Sequence, residues 1–188
     1  MGFKSSLKQL IRISLEKTIK ILGANKVGRI MFEQMVNQCM KHTQRINYQG
    51  LEMCFSVPNE LNHFRATTFS TKEPETLEWI DQLPEKCVFW DIGANVGLYT
   101  VYAALRKKCH VIAFEPSVFN LELLSRNLHL NQLQQQVVIL PLALSDKMGS
   151  NLLRMTSTEW GGHFQHLVKK LDGMGKTSRK SFPFLPSG

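Results

Sequence analysis

"FWDIGANVGLYTVYAAL", residues 89–105, runs an apolar strand into a small-residue turn and straight on into a helix with apolar periodicity. Strand, glycine-bearing turn and helix in that order make the first half of a β-α-β unit. Working outward, a strand over "CVFWD" feeds the turn, and a helix from Leu98 to Arg106 leaves it. A second strand over "HVIAFE", a second helix from Ser117 to about Leu130 and a third strand over "VVILPLAL" follow. The second helix carries Val118, Leu121, Leu124 and Leu128 on one face, with Ser117 as its N-cap. The strands are continuous apolar runs, the pattern expected where helices cover both faces of a parallel sheet. The fold class is therefore α/β, with a partial doubly wound, Rossmann-like parallel sheet and an N-terminal helical extension.

Upstream, "STKEPETLEWIDQL" reads as a helix with Ser70 or Thr71 near its N-cap and acids in its first turn. "LEMCFSV" and "HFRATTF", separated by "PNEL", read as a small hairpin, and a helix lies around Ile30 to Met40. Leu10, Ile11, Leu15, Ile19 and Leu22 follow helical spacing among Lys8, Arg12, Lys17 and Lys20, and Gly23 is a stop signal. That basic amphipathic helix has two readings that stay open: packing on its own domain or a partner, and lying on an anionic membrane surface. The domains expected are residues 1–70, a helical extension and hairpin; 71–160, the cofactor domain, incomplete; and 161–188, a basic tail.

The chain has 188 residues, 43% of them hydrophobic, enough for one ordinary domain with a core. No apolar run approaches the roughly 18–20 residues that span a bilayer, and "MGFKSSLKQLIR" lacks a signal-peptide core, so a cytoplasmic location is expected. Cys39, Cys54, Cys87 and Cys109 are scattered and are read as free thiols, and no metal site is expected, the His163/His166 pair included. The net charge of +8 is uneven: residues 1–50 carry 9 basic and 2 acidic groups, residues 51–160 carry 9 and 12, and residues 161–188 carry 5 and 1. Charge confined to the ends argues against a nucleic-acid partner.

The chemistry lies in "DIGANVG". Gly93 and Gly97 permit unusual φ values and close approach of a ligand to the backbone. A dinucleotide fingerprint needs glycines where Asn95 and Leu98 stand. Asp91, at the strand end, would repel a pyrophosphate but suits a ligand carrying ammonium and sulfonium charges, and S-adenosylmethionine is such a ligand. Glu115 ends the next strand, 24 residues on, where an acid accepts both ribose hydroxyls of an adenosine. After the third strand, Ser145 and Asp146 fall beside the expected adenine, and Asp146 would bond its exocyclic amine. "EWGG", residues 159–162, is either a substrate-side loop or a plain turn.

"FWDIGANVGLYTVYAA", "VIAFEPS" followed by "NLELLSRNLHLN", and "VVILPLALSD" resemble the FkbM family of S-adenosylmethionine-dependent methyltransferases over about residues 71–150. The resemblance implies a class I methyltransferase fold and, in that family, usually O-methylation of a sugar or other small-molecule hydroxyl. It assigns cofactor roles to Asp91, Gly93, Asn95, Gly97 and Glu115. The family's fourth-strand "I-D-x-E-G" segment is absent from these 188 residues, so the expectation is of a C-terminally truncated member with a bare edge on its first strand, open to a strand-pairing partner. No general base is identifiable. The alternative expectation is a non-catalytic adenosine-binding or protein-interaction module.

Overall fold

The computed structural model describes residues 2–145, 152–155, 158–162 and 165–168. Two units divide the chain, Met1–His42 and Thr43–Gly188. The first is a pair of helices, α1 (Gly2–Gly23) and α2 (Lys26–Met40), and Asn25 caps α2 by accepting a hydrogen bond from the Gly28 amide at 2.8 Å. Among the described residues no helix is long and apolar enough to cross a membrane.

The second unit opens with a hairpin, β1 (Thr43–Tyr48) and β2 (Leu51–Ser56), paired antiparallel from Thr43↔Ser56 to Tyr48↔Leu51. Gln49 and Gly50 both have positive φ, +50° and +79°, the geometry of a two-residue hairpin turn. The hairpin expected from sequence is thus shifted toward the N-terminus. "PNEL" is a helix start, not a turn, and "HFRATTF" lies in α3 (Glu60–Thr67) and α4 (Phe69–Lys72). Asn59 caps α3, its side chain accepting from the Asn62 amide at 2.9 Å. Asn62, Arg65 and Ala66 form its buried face at helical spacing; two of the three are polar, which hides the period from a hydrophobicity reading. α5 (Pro74–Gln82) starts at Pro74, behind Glu73 rather than behind Ser70 or Thr71, because proline's fixed φ and missing N–H suit the first helical position.

The sheet is built of β3 (Val88–Ile92), β4 (His110–Phe114) and β5 (Val137–Leu140), all parallel and in that order, linked by α6 (Leu98–Lys107) and α7 (Val118–Leu130). The third strand stops at Leu140, so "PLALS" is exposed chain outside the sheet. Two short strands, β6 (Leu152–Met155) and β7 (Gln165–Val168), pair antiparallel farther on. Right-handed crossovers between sequential neighbours put α6 and α7 on the same side. Phe89, Val111, Ala113 and Val137 are buried with Val101, Leu124 and Leu128 of those helices. The opposite face is uncovered among the described residues, contrary to the two-sided burial expected: Val88, Trp90 and Ile92 are 65%, 57% and 60% exposed. The outer edge of β3 pairs with no described strand.

The hairpin belongs to this core. Tyr48, Phe69 and Tyr102 meet edge-on with ring centroids 5.5–5.8 Å apart. Asn127 of α7, fully buried, accepts from the Ser56 amide and donates to the Val96 carbonyl, both at 2.7 Å. The hairpin lies in the second unit, packed against α3, α6 and α7. The buried face of α7 is Asn120, Leu123, Leu124, Asn127 and Leu128, while Val118 is exposed, so the face is rotated from the one marked by apolar residues alone. Cys87 and Cys109, read as free thiols, stand where β3 and β4 begin and form a disulfide, their Cα atoms 4.6 Å apart; Cys39 and Cys54 are free. Parallel pairing at adjacent strand starts brings together two cysteines 22 residues apart, a proximity that spacing does not reveal.

Candidate functional site

The turn between β3 and α6 alternates backbone hands: Gly93, Asn95 and Gly97 have φ of +82°, +52° and +83°. Glycine adopts this region freely and asparagine tolerates it, which is why those residue types stand there. Every amide of the turn donates within the chain. The Gly93 and Ala94 amides bond the Phe114 carbonyl at 2.9 and 3.0 Å, and the Gly97 amide bonds the Ala94 carbonyl at 2.8 Å. The Val96 amide bonds the Asn95 side chain and the Asn95 amide bonds Glu115 Oε2, each at 2.9 Å. A phosphate-binding loop needs such amides aimed at its anion. Here they lock the turn onto the end of β4, which tells against a pyrophosphate ligand.

The two glycines differ in surroundings. Among the described residues a Cβ on Gly93 would meet nothing within 4 Å, so there this position borders open space at the carboxyl end of β3. One on Gly97 would lie 2.3 Å from Leu124 Cδ1, so this glycine serves helix packing.

Glu115 is buried, and the turn hangs on it. Besides the Asn95 amide on Oε2, its Oε1 accepts from the Ser117 amide at 2.8 Å and from Asn120 Nδ2 at 3.3 Å. Asp91 is turned toward α6, its Oδ2 accepting a short hydrogen bond from the Thr100 hydroxyl. Burial pushes the Asp91 carboxyl above the usual carboxylate range, with the Thr100 bonds opposing. Asp91, Gly93, Asn95, Gly97 and Glu115 are thus gathered at the ends of β3 and β4. Ser145 is exposed in the chain after β5, and Asp146 lies outside the described residues.

Sequence reasoning missed a layer of buried polar residues around the turn. Arg65 of α3 donates to Asn95 Oδ1 at 2.5 Å. Burial lowers the affinity of its guanidinium for the proton, and the nearby Glu115 carboxylate opposes this. The "EWGG" segment, left open above, is a turn docked between α3 and α7. Asn59 and Asn62 donate to the Trp160 carbonyl at 3.1 and 2.9 Å, and the Gly161 amide donates to Asn120 Oδ1 at 3.0 Å. The Trp160 indole donates to Glu122 at 2.8 Å. The legible signal for these residues was helical spacing, Asn62 with Arg65 and Asn120 with Asn127, in polar rather than apolar side chains.

Fold and turn together define a Rossmann-like α/β unit with its glycine-bearing turn at the carboxyl ends of β3 and β4. No protein-family model matches the chain. Over 72 residues, 38% of the chain, it is 36% identical to "Methyltransferase sdnD" of Sordaria araneosa, and it spans 28% of that relative's length. Along that stretch the chain is a homologue of a methyltransferase. Among solved structures, a putative transferase of Pyrococcus horikoshii is 18% identical, with 54% of this chain and 36% of that one superposed at a TM-score of 0.41. TYW2 of M. jannaschii in complex with AdoMet is 21% identical, with 54% and 43% covered and a TM-score of 0.40. Overlaps this partial discriminate no activity, because sheets of this kind host many chemistries.

Proposed function

We propose that this chain carries the S-adenosylmethionine site of a methyltransferase of the FkbM kind, acting on a hydroxyl of a sugar or other small molecule. The observation that carries the reading is the turn whose amides are all engaged internally, set beside Glu115 at the end of β4. A crevice without an anion cradle, bordered by open space at Gly93 and a carboxylate at the ribose position, fits an adenosine bearing a sulfonium better than a dinucleotide. In this reading Glu115 takes the ribose, Gly93 lets the ligand approach the backbone, and Asn95 and Gly97 hold the turn. Asp91 fixes the turn to α6 and adds negative charge near the cationic end, while Asp146 belongs to the adenine. When bound, the cofactor supplies an electrophilic methyl group, and the chain's contribution is to orient it for in-line attack.

Calorimetric titration of the full chain with S-adenosylhomocysteine and with NAD tests this. Saturable binding of the first and none of the second is expected, with Glu115→Ala weakening it at least tenfold. A folded chain that binds neither overturns the reading. The bare β3 edge and the uncovered apolar face favour a second reading, a module that binds adenosine without catalysis and takes a strand from a protein partner. Under this reading the purified chain forms a stable complex with that partner and shows no methyl transfer. A cytoplasmic setting and a membrane-surface contact through α1 remain part of the proposal.

A further inference from the structure

Cys87 and Cys109 each stand one residue before a strand, β3 and β4, at the opposite end of the sheet from the glycine turn. Phe89 and Val111, two residues further along, are buried in the core, and the strand period of two puts both sulfurs on that same face. The approach of the two cysteines does not depend on the sulfur bond. The Lys86 amide donates to the Lys107 carbonyl at 2.7 Å, the His110 amide to the Cys87 carbonyl at 2.8 Å, and Gln136 Nε2 to the Cys109 carbonyl at 2.9 Å. These bonds hold the two Cα atoms 4.6 Å apart, within the range a disulfide spans. A pair held in this way closes and reopens with little movement of the chain.

The two thiols differ in access. Cys109 is fully buried, whereas Cys87 is half-buried and reachable from solvent. Each directly follows an exposed lysine, Lys86 and Lys108, and Glu85 is the acid nearest to either in sequence. Cationic neighbours favour the thiolate, the form that attacks a disulfide. We propose that Cys87 and Cys109 form a reversible thiol–disulfide exchange site for a small disulfide of the glutathione class, with Cys87 as the entry thiol and Cys109 as the resolving thiol. The Cys87 thiolate attacks one sulfur of the small disulfide, forming a mixed disulfide and releasing one thiolate, which takes up the proton that Cys87 gave up. Cys109, losing its own proton, then attacks Cys87 Sγ and expels the second small thiol, which takes that proton. Two protein thiols are oxidised to one disulfide, the small disulfide is reduced to two thiols, and an excess of the reduced thiol runs the steps backward. Oxidation ties residues 22 apart, closing a loop that contains β3, the glycine turn and α6, and so restricts the unfolded chain. The site is independent of the cofactor reading.

To test it, the reduced full chain is incubated with mixtures of reduced and oxidised glutathione, quenched by alkylation and mapped by mass spectrometry. The Cys87–Cys109 bond is expected to form as the oxidised share rises and to reopen when excess reduced glutathione meets the folded chain. Cys39, exposed and outside any disulfide, is the internal comparison and is expected to stop at the mixed disulfide. Cys109→Ser is expected to trap glutathione on Cys87, and Cys87→Ser to leave Cys109 unmodified. The oxidised wild type is expected to melt roughly 6–12 °C above the reduced one, the shift that closing a loop of this length predicts. A pair that stays reduced throughout overturns the exchange site, and so does a bond that glutathione fails to reopen in the folded chain, in favour of a fixed structural bond; neither result needs a variant to fold. Glutathione found on Cys109 in place of Cys87 overturns the assigned roles, and equal melting temperatures overturn the tie.

Discussion

Gly93 and Gly97 stand four residues apart in one turn, share a positive φ, and are expected to respond differently to the same substitution. Alanine at either position adopts a left-handed conformation, at a cost of roughly 1–2 kcal/mol. At Gly97 the new methyl would also fall 2.3 Å from Leu124 Cδ1, a side chain with no exposed surface. Leu124 must leave its rotamer in a filled core, which costs typically about 1–3 kcal/mol more. Gly97→Ala should therefore lose roughly 2–5 kcal/mol, a large part of the roughly 5–15 kcal/mol that holds an ordinary domain together. At Gly93 nothing among the described residues lies within 4 Å of the added methyl, so Gly93→Ala bears the backbone term alone, about 1–2 kcal/mol. Its methyl instead occupies the space assigned to the ligand. Urea unfolding followed by circular dichroism, extrapolated linearly to water, gives the two stabilities. Titration with S-adenosylhomocysteine at a urea-free condition where both variants are folded gives the two affinities. Equal losses of stability would refute the packing role of Gly97, and wild-type affinity in Gly93→Ala, confirmed with Gly93→Val, would refute the placement of the ligand.

Asn127→Leu removes the partners of both the Ser56 amide and the Val96 carbonyl; at about 1–3 kcal/mol for each group left unbonded it should destabilise by roughly 2–6 kcal/mol, and a loss under about 1 kcal/mol in urea would show that the hairpin docks without it. Burial alone would raise the Asp81 carboxyl, but hydrogen bonds from Tyr102 and Arg106 outweigh it and hold the group below its ordinary value. Its contribution is therefore complete above the unfolded value of about 3.9 and is lost as pH falls through the lower folded value, so Asp81→Asn should flatten the acid limb of a Tm-against-pH profile; an unchanged limb would contradict the assignment. Thiol titration in denaturant without reductant should find two reactive cysteines, Cys39 and Cys54, if the Cys87–Cys109 bond forms, whereas a cytoplasmic setting would keep that pair reduced and yield four.

The sequence by itself determined the β-α-β-α-β order, the strand-end positions of Asp91 and Glu115, and the turn with its glycines. Those features are local: strand and helix periods, turn residues and their spacing are written in neighbouring positions. It misassigned α3 because two of the three buried residues of that helix, Asn62 and Arg65, are polar, and it placed the hairpin late because Gln-Gly is a weak turn signal compared with "PNEL". What only the tertiary structure decided is where distant groups meet. Arg65 reaches Asn95 across 30 residues of chain, Asn127 reaches Ser56 across 71, and Cys87 faces Cys109 through the parallel register of β3 and β4. The one-sided cover of the sheet among the described residues has the same origin: apolar runs in β3 forecast burial on both faces, but right-handed crossovers between three sequential parallel strands bring α6 and α7 to the same face.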